Sequence, residues 1–99
     1  MPEATVFISR LMKLKKLDVS NCRQLTNECI SELVELEDLE ELGLSYCCGV
    51  NHLSFPYLKL MRSLRFVSMS NVSHRLFKSV MGERAQHIRA SFEIWLGSP

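Results

Sequence analysis

A 25-residue repeat of apolar residues constrains the fold of this chain more than any other feature of its sequence. Each copy has three apolar positions with the spacing L-x-x-L-x-V, and every one of these positions is apolar in three successive copies. A fixed period of this length indicates stacked units of secondary structure, and it falls within the range of roughly 20 to 29 residues that leucine-rich repeats use. The three copies are Leu14, Leu17 and Val19, then Leu39, Leu42 and Leu44, then Leu64, Val67 and Met69.

A second apolar set, spaced for a helix, separates these copies. Ile30, Leu33 and Leu36 have the three-residue spacing of one helix face, and the same set recurs 25 residues later. Either Thr26 or Asn27 can cap the first of these helices. The sequence therefore predicts a strand and a helix in every unit. The second helix is marked by Pro56 in its first turn behind Ser54, and a third is predicted to run from a cap at Ser73 to about Gln86.

Together these patterns predict an α/β fold, a leucine-rich-repeat solenoid of about three and a half 25-residue strand–helix units with a parallel sheet on its concave face. Apolar residues within a strand point inward, and the residues between them point to the opposite face. Strands are expected near 16–20, 41–45, 66–70 and, in a degenerate fourth copy, 91–95. The predicted divisions are a leading helix of a partial repeat in 1–13, repeats in 14–38, 39–63 and 64–88, and a terminal strand in 89–99.

A constant period makes residues 25 apart neighbours on the outward face of the sheet, where we expect a partner to bind. Three aromatic residues are the candidate anchors of that interface: Tyr46, Phe66 and Trp95. Aromatic side chains carry much of the binding energy at protein interfaces. For Trp95, packing at the end of the stack is an equally good explanation. The candidate partner-binding residues are Asp18, Ser20, Asn21, Glu41, Ser45, Tyr46, Phe66, Ser68, Asn71 and Trp95.

Charge alternates between the units. Residues 1–25 carry five basic and two acidic side chains, residues 26–50 carry seven acidic and no basic ones, and residues 51–99 carry seven basic and two acidic ones. One interpretation is a solvated ladder of ion pairs between neighbouring units, each worth only about 0.2–1 kcal/mol. The other is that the acidic middle unit also attracts a basic partner.

Composition and motifs favour a binding protein over an enzyme. The net charge of +1 gives no field for nucleic acid, no apolar run is long enough for a membrane span, and residues 1–17 lack a signal peptide. We therefore expect a cytoplasmic or nuclear protein with four reduced cysteines. Those cysteines form no paired C-x-x-C motifs, and neither a phosphate loop nor a G-x-S-x-G turn occurs. No metal, cofactor or catalytic residue is predicted.

The run Leu14-Lys-Lys-Leu-Asp-Val-Ser-Asn-Cys22, its continuation from Leu25 to Cys29, and the copy from Leu39 to Cys47 resemble the cysteine-containing leucine-rich repeats of F-box proteins. The resemblance covers roughly residues 11–97 and is strongest over 14–47, whereas Val72 replaces the cysteine of the third copy. Such proteins are substrate receptors of Skp–cullin–F-box ubiquitin ligases. The resemblance implies a concave face that grips a ligase substrate or an accessory subunit.

The sequence contains no recognisable F-box, so the expected function is that of a substrate-recognition segment lacking its F-box. The alternative is a free-standing structural or adaptor repeat protein unrelated to ubiquitination. In both cases the expected partner is another protein, not nucleic acid or a membrane. Because the end of a repeat stack exposes apolar surface, we also expect self-association through residues 91–96.

Overall fold

The computed structural model describes residues 13–93, which form a small α/β domain with a four-stranded parallel sheet in the order β1-β2-β3-β4. Strands and helices alternate along the chain, as the two sets of apolar residues predict. The predicted leading helix in 1–13 lies outside the described residues except for its last residue, Lys13. The elements are β1 (Lys16–Asp18), α1 (Asn27–Leu33), β2 (Glu41–Leu44), a 3₁₀ turn (His52–Ser54), α2 (Phe55–Leu60), β3 (Phe66–Ser70), α3 (His74–Met81), a second 3₁₀ turn (Gly82–Gln86) and β4 (Arg89–Glu93).

The first three strands pair in the register that the sequence period predicts. Leu17 lies opposite Leu42, and Leu42 lies opposite Val67, so each step from strand to strand is 25 residues. Backbone hydrogen bonds carry the pairing past the end of β1, where the Val19 amide donates to the Gly43 carbonyl at 2.9 Å. Residues 25 apart are therefore neighbours across these three strands.

The predicted position of the fourth strand was wrong by two residues. β4 begins at Arg89, which lies opposite Phe66, so the last step is 23 residues and not 25. α3 ends earlier than predicted, at Met81, and Gly82 at φ 60° leads into a 3₁₀ turn. As a consequence Ser91 lies beside Ser68, and Glu93 lies beside Ser70.

The core lies on the face of the sheet that packs against the helices. Leu42 and Val67 are fully buried together with helix residues such as Ile30 and Leu33, whereas Leu17 is half-buried because β1 is the edge of the described sheet. At the other end, Phe92 of β4 packs against two buried rings, stacking on Phe55 with centroids 6.3 Å apart and meeting Phe77 edge-on at 5.1 Å. The buried face is thus continuous from β2 to β4.

The helix starts follow the predicted caps with one difference. The Ser73 hydroxyl accepts a hydrogen bond from the Leu76 amide at 3.3 Å, and Pro56 occupies the first turn of α2. Thr26 stands at the N-cap position of α1, but its side chain makes no capping bond and instead contacts the Cys29 thiol at 3.3 Å. Of the three helices, only α3 therefore starts with a side-chain capping bond.

Candidate functional site

The face of the sheet opposite the helices, here called the open face, carries the outward side chains of all four strands. Glu41 lies opposite Lys16 on one side and Phe66 on the other, and Phe66 in turn lies opposite Arg89. The Lys16 amine and the Glu41 carboxylate form an ion pair at 3.3 Å, with the two side chains 75% and 45% exposed. An ion pair this exposed contributes only about 0.2–1 kcal/mol to stability. Its main effect is to place charge beside the half-buried Phe66 ring.

At the carboxyl ends of the strands, three turn residues adopt the left-handed conformation. Asn21, Tyr46 and Asn71 have φ angles of 66°, 59° and 58°. Asparagine tolerates this region, but an ordinary residue such as tyrosine costs roughly 1–2 kcal/mol there. Tyr46 is therefore held in a disfavoured backbone conformation at the end of β2. Replacing it with asparagine, which tolerates this conformation, would relieve the backbone strain.

Glu93 gathers the residues around Tyr46 into one hydrogen-bonded cluster. The Ser45 hydroxyl donates to Glu93 Oε1 at 2.6 Å, and the Tyr46 hydroxyl donates to Glu93 Oε2 at 3.3 Å. The Tyr46 amide donates to Ser70 Oγ at 2.9 Å, and the Ser45 amide donates to Ser20 Oγ at 3.1 Å. Together these bonds fix the direction of the half-buried Tyr46 side chain on the open face.

Sequence reasoning missed Glu93 as a site residue. With a constant period, Glu93 falls beside Ser68, away from Ser45 and Tyr46. The two-residue shift of β4 moves it beside Ser70, at the strand ends where those two side chains lie. A shift of two leaves the same side chains facing inward, so the pattern of apolar residues carries no signal that would have revealed it.

Asp18 and Ser20 form a smaller polar site next to β2. The Ser20 amide donates to Asp18 Oδ1 at 3.0 Å, and hydrogen bonds from the Ser20 side chain and backbone hold the pKa of the Asp18 carboxyl below its usual value of 3.8. A Cβ atom on Gly43 would lie only 2.6 Å from that carboxylate oxygen, so the glycine gives Asp18 its space. Asp18 is thus an exposed, ionised carboxylate on the open face.

The remaining predicted site residues are only partly brought together. Ser68 is half-buried in the middle of β3, and Asn71 is exposed and donates its amide to the Glu93 carbonyl at 2.8 Å. Trp95 lies outside the described residues, as does the second half, 94–96, of the predicted self-association segment 91–96. Trp95 is also no longer expected opposite Ser70, because Glu93 occupies that position.

Three of the cysteines, Cys22, Cys47 and Cys48, follow the strands β1 and β2, and Cys29 lies within α1. All four are free: Cys47 and Cys29 are buried, Cys22 is half-buried, and Cys48 is exposed. The Cys47 thiol donates to the Val19 carbonyl at 3.2 Å, and burial raises the pKa of that thiol above its ordinary value. Within residues 13–93 no three histidine, cysteine or acidic side chains are grouped so as to hold a metal ion.

Comparisons of the chain with protein-family models, with curated proteins and with solved structures gave no match. The helices of the described region are all too short or too polar to span a bilayer. Chemically, the open face offers oriented hydroxyls, the Glu93 carboxylate held by two of them, and two half-buried aromatic rings.

Proposed function

We propose that this chain is a leucine-rich-repeat module of about three and a half strand–helix units that binds another protein through its open face. The 25-residue steps between the first three strands support the solenoid, since stacked units of equal length give such a register. The shorter step of 23 residues from β3 to β4 is also compatible with a solenoid, because terminal repeats are commonly irregular.

The observation that carries the binding proposal is the setting of two aromatic side chains on the open face. Tyr46 is tied to Glu93 through its hydroxyl, and Phe66 lies between Glu41 and Arg89 on neighbouring strands. Both rings are half-buried and so lose little freedom when a partner covers them. Rigid aromatic residues surrounded by polar and charged groups are typical of the energetic centres of protein interfaces.

The resemblance to F-box repeats makes a ligase substrate or an accessory subunit the proposed partner, in the cytoplasm or the nucleus. In this proposal the chain recognises the partner and performs no catalysis, uses no cofactor and contacts neither nucleic acid nor membrane. A free-standing adaptor with the same open face is the alternative. The two differ in whether ubiquitin-ligase subunits accompany the captured partner.

Affinity capture with surface variants tests this proposal. The test variant carries Glu41→Ala, Tyr46→Asn and Phe66→Ala; asparagine is used at position 46 because Asn21 and Asn71 already adopt the same left-handed conformation. We expect the unmodified chain to retain a specific protein and the variant to retain at least about tenfold less of that protein. The reason is that truncating an aromatic residue at an interface commonly costs over 1 kcal/mol of binding free energy.

The matched control places the same kinds of change on the helical side of the molecule, at Glu28, Tyr57 and Leu60, each replaced by alanine. Glu28 and Leu60 are exposed and Tyr57 is half-buried. This control should retain the partner, and circular dichroism should show that both variants stay folded. Equal loss in both variants, or retention by the open-face variant, would contradict binding through the open face.

A further inference from the structure

A groove of about 940 Å³ lies at the opposite edge of the sheet from Tyr46, where the strands begin. Its walls come from the segments that precede β2, β3 and β4, together with the 3₁₀ turn after α3. Of the residues used in the proposed binding through the open face, only Arg89, which lies opposite Phe66, also lines this groove. The side chains that define it are Glu40, Arg62, Arg65, Arg84, His87 and Arg89.

Positive charge is concentrated in this groove. Four of the seven basic residues in 51–99 line it, against the single carboxylate of Glu40. Within residues 13–93, none of the four guanidinium groups forms an ion pair with a carboxylate. Arg62, Arg65 and Arg89 are exposed, so their charges are available to a ligand that enters.

Backbone contacts hold the walls of the groove in place. Arg84 donates from Nη2 to the Met61 carbonyl at 2.6 Å, which fixes its guanidinium against the loop before β3. Its Nε–H is buried and has no acceptor among the described residues. The Arg89 amide donates to the Arg65 carbonyl at 2.7 Å, so the starts of β3 and β4 are fixed side by side. The arginines are therefore presented from a prearranged framework.

The chemistry of the groove selects among anionic ligands. Guanidinium groups bind carboxylates through two parallel hydrogen bonds, and a groove of this size spans more than one such group. Single-stranded nucleic acid usually needs aromatic side chains on which its bases stack, and no phenylalanine, tyrosine or tryptophan lines this groove. We propose that the groove binds an acidic peptide segment of a partner protein.

Fluorescence anisotropy with the full chain tests this directly. The probe is a labelled peptide of alternating glutamate and glycine, and the comparison peptide has glutamine in place of glutamate. We expect binding of the glutamate peptide only, weakened by added salt. Arg62→Ser and Arg65→Ser should each reduce its affinity about tenfold or more, because each removes a charge-assisted hydrogen-bonding group.

Arg75→Ser is the matched control, since Arg75 is exposed on α3 and does not line the groove. It should change affinity less than about twofold. Tyr46→Asn should also leave peptide binding unchanged, which separates this site from the open face. Equal weakening by Arg75→Ser, equal binding of the glutamine peptide, or tighter binding of an oligouridine RNA that displaces the glutamate peptide would overturn the proposal.

Discussion

Individual side chains determine how stable this molecule is and which groups its surface presents to a partner. Leu42 is fully buried between Leu17 and Val67 of the neighbouring strands, so its removal would be felt on both sides. In contrast, Leu60 leaves 62% of its surface exposed on α2. These two leucines allow the cost of a buried contact to be measured against a matched exposed one.

Leu42→Ala should lower the free energy of unfolding by about 2–5 kcal/mol, because it leaves a cavity in the packed column as well as losing buried apolar area. Urea denaturation followed by circular dichroism measures this. Leu60→Ala should change the same quantity by no more than about 0.5 kcal/mol. Similar effects of both substitutions would contradict the burial of Leu42.

At the residue scale, the sequence predicted which side chains alternate between the faces but not how they bond. The identification of Tyr46 as an outward aromatic rested on its place in the period, whereas its bond to Glu93 depends on the shifted fourth strand. The hydroxyl of Thr26, one of two alternative predicted caps, likewise contacts a thiol. Such local bonds depend on atomic positions that a spacing pattern does not contain.

At the scale of elements, strands β1 to β3 and the starts of α1 to α3 were predictable because apolar spacing and caps mark them. The fourth strand was misplaced because residues 89–95 alternate in the same sense whether Phe92 pairs with Met69, as observed, or lies two positions away. Only the length of the turn after Met81 distinguishes the two registers. That turn is a 3₁₀ segment entered through Gly82, which the helical pattern does not specify.

The loops that link the elements also stack closely, and Gly49 makes this possible. Gly49 pairs with Thr26 of the preceding loop, and a Cβ atom on Gly49 would collide with the Leu25 carbonyl oxygen. Gly49→Ala should therefore lower the free energy of unfolding by about 1–3 kcal/mol, as overpacking against an immobile backbone does. Thermal unfolding monitored by circular dichroism measures the loss.

Gly43→Ala is the control for this prediction. Its new Cβ atom would meet the Asp18 side chain, which is exposed and can rotate away. The cost should be clearly smaller than that of Gly49→Ala. If Gly43→Ala were the more damaging substitution, close approach of the Gly49 and Leu25 backbones could not be what limits stacking of the loops.

At the scale of the whole molecule, parallel stacking creates two surfaces from residues far apart in sequence. The carboxyl ends of the strands bring Ser45, Tyr46 and Glu93 together on the open face, and the amino ends bring Arg65 and Arg89 together at the groove. Each surface needs several strands, so neither exists in an isolated unit. Loss of stacking should abolish both kinds of binding at once.

Nuclear Overhauser contacts between backbone protons of the isotope-labelled chain test this stacking most directly, because neighbouring strands bring those protons close together. The predicted result is contacts between Glu41 and Phe66 and between Ser68 and Ser91, in the parallel register that places Glu93 beside Ser70. Contacts between Ser68 and Glu93, or no contacts between these strands, would contradict it.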